Sequence, residues 1–277
     1  MIRVQRLFES SLATVDRVDH PPDVAHVDPP EEVSDRYTLN VMERGHFHVD
    51  HDGRTWTVDA NALFVTIPGQ INRYRHTHAD SAPDDVCLAV GLSPLAYEEL
   101  IAGASACLAA RAPVLALSNR RAYLRHRLIW HLERHADTLT FDAIAGELLH
   151  ATISDDRGHR FKTTQLSWYA RRVDGARQTL DDDYASDHRL AHLARDAGMS
   201  PFHFARVFRE LTGLPPHRYL LQRRLRAAAN RLRGGASVTD ACFAVGFSSL
   251  SHFIHAFRRQ FGVVPSRFTA GSDTKSS

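Results

Sequence analysis

Cysteine is scarce in this chain: only three occur among its 277 residues, and they stand far apart as Cys87, Cys107 and Cys242. This spacing excludes a disulfide framework and a close-spaced zinc site. Long apolar runs are also missing, since no stretch approaches the ~20 residues needed to cross a bilayer. The first twenty residues contain no apolar signal-peptide core. We therefore expect a cytoplasmic protein with no membrane partner.

Acidic residues are scarce near the end of the chain. Residues 201–277 carry 12 Lys and Arg against 3 Asp and Glu, a net charge of +9, whereas residues 1–100 carry 8 against 17, a net charge of −9. This imbalance indicates a polyanion-binding end, most often for nucleic acid, although a solvated basic surface would have the same composition. The length of 277 residues and the apolar content of 43% favour two folded domains.

A duplicated segment favours the nucleic-acid interpretation. Residues 200–219 and 249–268 are identical at eight of twenty positions, where chance gives roughly one or two. Each copy predicts a helix, capped by Ser200 in the first and by Ser248 or Ser249 in the second, with a glycine and a proline after its last turn. Phenylalanines four residues apart predict a buried stripe in each copy: Phe204, Phe208, Phe253 and Phe257.

A short helix is predicted before each copy, over His188–Ala197 and over Ser237–Ala244, with a glycine-containing turn after it. Helix, turn and second helix make a helix-turn-helix motif, which therefore occurs twice. Between the motifs, Pro216–Arg233 predicts a helix of 18 residues, about 27 Å long at 1.5 Å per residue. Such a rod can hold two recognition helices close to one DNA turn apart, about 34 Å.

Residues 166–277 resemble the DNA-binding domain of the AraC/XylS family of bacterial transcriptional regulators. The resemblance rests on LAHLARDAGMSPFHFARVFRELTGLPPHRYLLQRRLRAAANRL and on SVTDACFAVGFSSLSHFIHAFRRQFGVVPSRF. It implies a domain of seven helices, the first over about Leu166–Leu180. The positions that match the family's second-motif signature are Gly246, Phe247, Ser251, Phe253, Phe257, Arg258, Gly262 and Pro265.

DNA-reading residues are expected on the outer face of the second helix of each motif. In the first copy these are Phe202, Ala205, Arg206 and Arg209. Arg206 is the best candidate for a base contact, because its guanidinium can bond O6 and N7 of guanine together. Phe202 either touches a thymine methyl or a sugar, as the resemblance implies, or packs on its own domain. The resemblance also implies that Arg209 contacts a phosphate.

The second copy offers fewer hydrogen-bonding groups on that face. Its outward residues are expected to be Leu250, Ser251, Ile254, His255 and Arg258. The sequence departs from the family where His255 replaces a common arginine. We expect this half to contribute phosphate contacts, thymine-methyl contacts and register more than base identity, so that specificity is asymmetric.

The N-terminal half predicts short strands joined by turns, after a Pro-rich acidic stretch at His20–Glu32. The dipeptide Asp52-Gly53 is a strong hairpin signal. The stretch from Tyr37 to Gln70 is similar to the cupin-like effector domain of the same family. The resemblance implies an α+β chain with an N-terminal β-barrel. The predicted strands are Arg36–Met42, His46–His51, Thr55–Val58, Ala62–Ile67 and Val86–Gly91.

Two histidines raise the alternative of a metal-dependent cupin enzyme. His46 and His48 point to one face of a strand, as a metal would need. The expected Glu after this pair is absent, with Asp52 in the turn as its nearest substitute. Asn72 stands where metal cupins place a further histidine. We therefore expect no metal, no cofactor and no catalytic residue.

The sequence offers only candidates for the effector-binding residues of the barrel. A short basic run either lines a pocket for an anionic effector or, as we favour, forms a solvated loop; it consists of Arg73, Arg75, His76 and His78. The candidates for facing the barrel interior are Asn40, His46, His48 and Trp56.

Two helices are predicted after the barrel, over Leu117–His135 and Thr140–Ile153. The resemblance implies that these helices, about residues 117–153, make the dimer contact; packing onto their own barrel is the alternative. The polar stretch at Ser154–Thr164 predicts a linker. The domains are therefore expected at residues 1–165 and 166–277. The apolar stripes consist of Leu124, Leu128 and Leu132 on the first helix and of Ile144, Leu148 and Leu149 on the second.

Together these features favour a sequence-specific transcriptional regulator that binds double-stranded promoter DNA and responds to a small-molecule effector. We expect a homodimer, with RNA polymerase as a further partner if the protein is an activator. A metal-dependent cupin enzyme with an accessory helical module is the alternative. Regulation through a protein partner, or through dimerisation alone, is a third possibility.

Overall fold

The computed structural model describes residues 2–20, 31–76, 85–94, 96–97, 112–134, 137–153 and 161–270. Contacts between residues divide the chain into two units, Met1–Ser167 and Trp168–Ser277. Over these ranges the first unit consists mainly of strands and the second of helices, so the mixed class predicted above is confirmed. No helix in these ranges is long and apolar enough to span a lipid bilayer.

The described part of the N-terminal unit contains ten strands. They are β1 (Arg3–Glu9), β2 (Ala13–His20), β3 (Glu32–Val33), β4 (Tyr37–Arg44), β5 (Phe47–His51), β6 (Arg54–Val58), β7 (Ala62–Thr66), β8 (Ile71–Arg75), β9 (Asp85–Leu92) and β10 (Val114–Ala116).

These strands form two antiparallel sheets, one of six strands in the order β1-β2-β9-β4-β7-β10 and one of four in the order β3-β8-β5-β6. The predicted barrel does not close, because no strand pairing joins the two sheets within the described residues. The sheets instead share an apolar core. Phe47 and Val49 of β5 meet Met42 of β4, Phe64 of β7 and Cys87 of β9 there.

Five strands are predicted from the alternating pattern, and each corresponding observed strand begins and ends within two residues of its predicted bounds. The Asp52-Gly53 hairpin is confirmed, since the two residues have φ of 48° and 70°, the positive values that a type I′ turn requires. The expectation that the basic run is a solvated loop is wrong in part, because Arg73 and Arg75 belong to β8, although both are exposed. Nη2 of Arg75 lies 2.7 Å from Oδ1 of Asp50, and His76 is buried.

Several predicted features fall partly or wholly outside the described residues. His78 and Cys107 do so wholly. The Pro-rich stretch does so over residues 21–30, and the predicted linker does so over residues 154–160.

Two helices of the N-terminal unit, α1 (Asn119–Glu133) and α2 (Thr138–Ile153), pack against each other and against strands. Nε of Arg125 donates to the carbonyl of Met42 on β4 at 2.9 Å, and the rings of Phe8 and Phe141 lie 4.5 Å apart. Most of the predicted apolar stripes are therefore buried within this unit and take no part in an exposed dimer face: Leu124, Leu128, Ile144, Leu148 and Leu149.

Seven helices occupy the C-terminal part of the described chain, in agreement with the number expected. They are α3 (Thr163–Asp182), α4 (Leu190–Asp196), α5 (Pro201–Thr212), α6 (Pro216–Arg233), α7 (Val238–Ala244), α8 (Leu250–Phe261) and α9 (Pro265–Ala270). The central helix has the predicted bounds, and the other predicted helix ends agree to within three residues.

The ends of the two repeated helices form as their sequence predicts. Oγ of Ser200 accepts a hydrogen bond from the backbone N–H of His203 at 3.3 Å, and Oγ of Ser249 accepts one from His252 at the same distance. Left-handed glycines with φ of 81° and 75° end α5 and α8, where a side chain would be strained. The predicted aromatic stripe is fully buried: Phe204, Phe208, Phe253 and Phe257.

Candidate functional site

The first helix-turn-helix motif consists of α4 and α5, and it presents one face of α5 to solvent. Phe202 is 81% exposed, which is unusual for an aromatic ring in a folded domain. Arg206 and Arg209 are exposed one and two turns further along, and Ala205 is half-buried beside them. The structure therefore brings the four predicted residues together as one polar and aromatic strip, hereafter the α5 strip.

The ring of His203 lies beside the guanidinium of Arg206 and contacts it. Nη2 of Arg206 lies 3.4 Å from Nδ1 of His203, and Nε2 of the same ring lies 3.1 Å from Oη of Tyr169 on α3. A guanidinium can only donate, so Nδ1 accepts and the ring proton resides on Nε2, which donates to Tyr169. This relay could not be predicted from the sequence, because Tyr169 is 34 residues before His203.

The second motif consists of α7 and α8, and its outer face is smaller than predicted. Ser251, His255 and Arg258 are exposed as expected. Leu250 and Ile254 are half-buried and pack against the core of this motif. The expectation that these two face outward is therefore wrong for most of their surface, because their apolar side chains complete the core beside Phe253. The outer face is hereafter the α8 strip: Ser251, His255 and Arg258.

Two arginines of α6 stabilise the fold. The sequence alone does not distinguish them from the other basic residues of this domain. Arg224 donates to the carbonyls of Tyr184 at 2.7 Å, Ser186 at 2.8 Å and Gly246 at 2.9 Å. Arg223 lies 3.3 Å from Asp181 and 4.6 Å from the ring centre of Tyr184. These contacts tie the loop after α3 to the turn of the second motif, so the two guanidinium groups are engaged within the protein.

The N-terminal unit contains a cavity of about 330 Å³ between its two sheets. Phe47, Phe64 and Tyr74 supply an apolar part of its wall. Thr38 and Thr66, whose hydroxyls lie 2.6 Å apart, supply a polar part. Burial raises the pKa of Tyr74 and of the Cys87 thiol, which also lines the cavity, to about 12 each, so both groups are neutral near pH 7.

Of the four predicted barrel-facing residues, Asn40 lines this cavity and the other three do not. Nδ2 of Asn40 donates to Oγ1 of Thr38 at 2.7 Å. His46 is exposed and His48 is half-buried, because Phe47 and Val49 take the inward positions of that segment. Trp56 packs at the edge of the core. The expected inward orientation of His46 and His48 is therefore wrong by one residue in register.

A cluster that the sequence did not indicate lies in the cavity wall. His20, His76 and Asp85 each offer a ligand atom, and these atoms lie within 4.8 Å of one another. Among the described residues, this is the cluster in which three or more potential metal ligands lie this close together. His46 and His48 do not belong to it. The sequence signals are that Asp85 precedes the predicted strand Val86–Gly91 and that His76 belongs to the basic run described above. Neither signal reveals that both side chains point inward.

Comparison with known proteins bears on the C-terminal part of the chain. A family model described as a helix-turn-helix domain matches residues 193–271. The HTH-type transcriptional regulator ExsA of Pseudomonas aeruginosa is 31% identical over 104 residues, which cover 37% of this chain and 37% of ExsA. The C-terminal part of the chain is therefore similar to the helix-turn-helix domains of transcriptional regulators. The matched helix-turn-helix domain contains both strips described above.

Two further proteins are similar to parts of this chain. The probable transcriptional regulator LumQ of Photobacterium leiognathi is 30% identical over 161 residues, which cover 55% of this chain and 60% of LumQ. A crystal structure of a probable AraC family transcriptional regulator from Rhodopseudomonas palustris is 27% identical, with a TM-score of 0.35, over 37% of this chain and 97% of that one. The chain thus spans 37% of the length of ExsA and 60% of the length of LumQ. Both are named as regulators of transcription and not as enzymes.

Proposed function

We propose that this protein is a sequence-specific, DNA-binding regulator of transcription. The observation that carries the proposal is the α5 strip, an exposed aromatic ring and two exposed arginines on the recognition helix of an AraC-type domain. Arginine can read guanine in the major groove, and an exposed apolar ring can contact a thymine methyl group. Exposed Arg209 and Arg258, near the ends of their helices, are suited to phosphate contacts.

The two strips differ in chemistry, which supports an asymmetric reading of the site. The α5 strip offers the donor fork of Arg206, whereas the α8 strip offers Ser251 and His255. Leu250 and Ile254 have only part of their surface left for thymine-methyl contacts. We infer that base identity is read chiefly by α5, and that α8 contributes phosphate contacts and register. The partner is double-stranded promoter DNA, joined by RNA polymerase if the protein activates transcription.

The N-terminal cavity is the proposed site of a small-molecule effector. Its volume of about 330 Å³ is at the lower end of the range for ligand pockets, about 300–1,000 Å³. The wall combines aromatic rings with the amide of Asn40, a combination that suits a small and partly polar molecule. We also propose a homodimer; since the leucine stripes are buried, its contact would use other surfaces, such as that around Leu139, which is 80% exposed.

Selection of bound duplexes from a randomised pool, using the full chain, tests the DNA-binding proposal. A single enriched sequence, bound more tightly than a shuffled duplex at the same salt concentration, is the expected result. Retention of duplexes without any enriched sequence would overturn it. For the effector, native mass spectrometry of the purified chain should detect a bound small molecule that is lost when Asn40→Phe fills the cavity.

A further inference from the structure

We propose that His20, His76 and Asp85 bind one divalent transition-metal ion in the wall of the N-terminal cavity. The three residues lie at or next to the ends of three different strands in the two sheets. His20 ends β2, Asp85 begins the adjacent β9 in direct register with it, and His76 follows β8 in the opposite sheet. A bound ion would therefore join the two sheets at one edge of the cavity.

The distances between the donor atoms suit a single ion. Nδ1 of His20 lies 3.0 Å from Oδ2 of Asp85, and Nε2 of His76 lies 3.7 Å from Oδ1 of the same carboxylate. Donors bound tetrahedrally to one ion at about 2.1 Å are about 3.4 Å from one another. The two observed distances end on different oxygens of Asp85 and lie on either side of this value. One donor atom from each of the three residues lies within 4.8 Å of the others. Small rotations of side chains would therefore place all three donors around one ion.

The carboxylate of Asp85 supplies an independent observation. Asp85 is only 2% exposed, and its Oδ1 is buried without a hydrogen-bond partner among the described residues. A buried polar atom left without a partner costs free energy, on the order of 1–3 kcal/mol. Asp85 lines the cavity, and this oxygen lies 3.7 Å from Nε2 of His76. A cation bound there would satisfy it, whereas the hydrogen bond from His20 to Oδ2 does not.

The donor set indicates the class of ion. Two imidazoles and one carboxylate suit zinc and the other first-row divalent ions, in contrast to the all-oxygen sites of calcium and magnesium. Three protein ligands leave at least one coordination position open, and here it would face the cavity. The inference deepens the proposed effector role of that cavity, because the ion, alone or with a small anion, would be the bound ligand. It does not depend on DNA binding.

Zinc titration of the full chain, after removal of metals with a chelator, tests the proposal. We expect the wild type to bind one zinc ion per chain at this site. His76→Gln and Asp85→Asn should each weaken that binding by at least about tenfold, since loss of a second-shell partner alone costs that much. The matched control is the double variant His46→Gln with His48→Gln, which removes two histidines that lie outside the cavity and should leave zinc affinity unchanged.

A spectroscopic measurement on the unaltered chain guards against a variant that fails to fold. X-ray absorption of the zinc-loaded wild type should show two imidazoles with oxygen donors and no sulfur. Sulfur ligation would overturn the proposal, as would equal zinc affinity in all variants or loss of binding only in the His46 and His48 control. Absence of zinc binding by the folded wild type would also overturn it and would leave the DNA-binding proposal standing.

Discussion

Arg206 on α5 and His255 on α8 occupy equivalent positions of the internal repeat, 49 residues apart, and both side chains are exposed. The environments of the two positions differ. Arg206 is held by His203, whereas the repeat mate of His203, His252, lies with its ring 5.5 Å from that of Phe247. The same place in the two motifs therefore carries an arginine with a hydrogen-bond acceptor beside it in one and a single imidazole in the other.

Arg206→Ala should relax base preference at one or two positions of one half-site, whereas His255→Ala should change the preferred sequence little. The physical reason is that only arginine can make the bidentate contact with guanine, which is worth about 1–3 kcal/mol of discrimination. The measurement is selection from a randomised duplex pool with the wild type and both variants. If His255→Ala erased base preference and Arg206→Ala did not, the assignment of α5 as the reading helix would be wrong.

His203→Leu should weaken the preference read by Arg206, though by less than Arg206→Ala does. Without Nδ1 as an acceptor, the guanidinium must be ordered on binding, at about 0.5–1.5 kcal/mol for a flexible side chain. Tyr169→Phe should have a smaller effect in the same direction. Affinity for the selected duplex relative to a single-base variant at the Arg206 position is the quantity to measure. His252→Leu is the matched control, and an equal loss in that variant would contradict the relay.

Arg209→Ala and Arg258→Ala should each weaken binding to selected and shuffled duplexes by a similar factor. Each lost phosphate contact should lower the slope of log affinity against log salt by about 0.9. Titrations at several salt concentrations give the slope. Arg73→Ala, an exposed arginine of the N-terminal unit, is the control and should leave it unchanged. An unaltered slope in both the Arg209→Ala and the Arg258→Ala variant would refute the phosphate assignment.

The helical domain could be predicted from the sequence because its structure is encoded locally. Ser200 and Ser249 cap the repeated helices, and the phenylalanines four residues apart bury one face. Such signals depend on neighbours within one or two turns. The roles of Arg223 and Arg224 could not be predicted, because their partners, such as Asp181 and Gly246, are distant in sequence and an engaged arginine has the same composition as a solvated one.

The cavity could not be predicted from the sequence, because β8 reverses the usual pattern of strand burial. Asn72 is fully buried, whereas Ile71 beside it is 54% exposed. A strand with polar residues inside resembles a loop when only hydrophobicity is read. The same reversal brings His76 into the cavity wall. Likewise, one residue of register decided that Phe47 and not His46 faces inward, and only pairing with β6 and β8 fixes that choice.

Gly246→Ala should destabilise the C-terminal unit by about 2–5 kcal/mol, and Gly198→Ala by about 1–2 kcal/mol. Both glycines have positive φ, 86° and 66°, and a left-handed conformation costs other residues about 1–2 kcal/mol. A Cβ on Gly246 would also lie 2.1 Å from the backbone oxygen of Ala185, whereas one on Gly198 would meet only the end of a side chain at 4.0 Å. Overpacking of this kind adds about 1–3 kcal/mol.

The loop around Ala185 cannot easily move away from a Cβ at Gly246, because Arg224 bonds the carbonyls on both sides of it as well as that of Gly246. Arg224→Ala in the Gly246→Ala background should therefore cost less than the sum of the two single changes, since it frees the loop to shift. Urea unfolding of the full chain, followed by circular dichroism, gives the free energy of unfolding of the wild type, of each single variant and of the double variant. Equal effects of Gly198→Ala and Gly246→Ala, or strict additivity with Arg224→Ala, would show that the contact with Ala185 does not limit this turn.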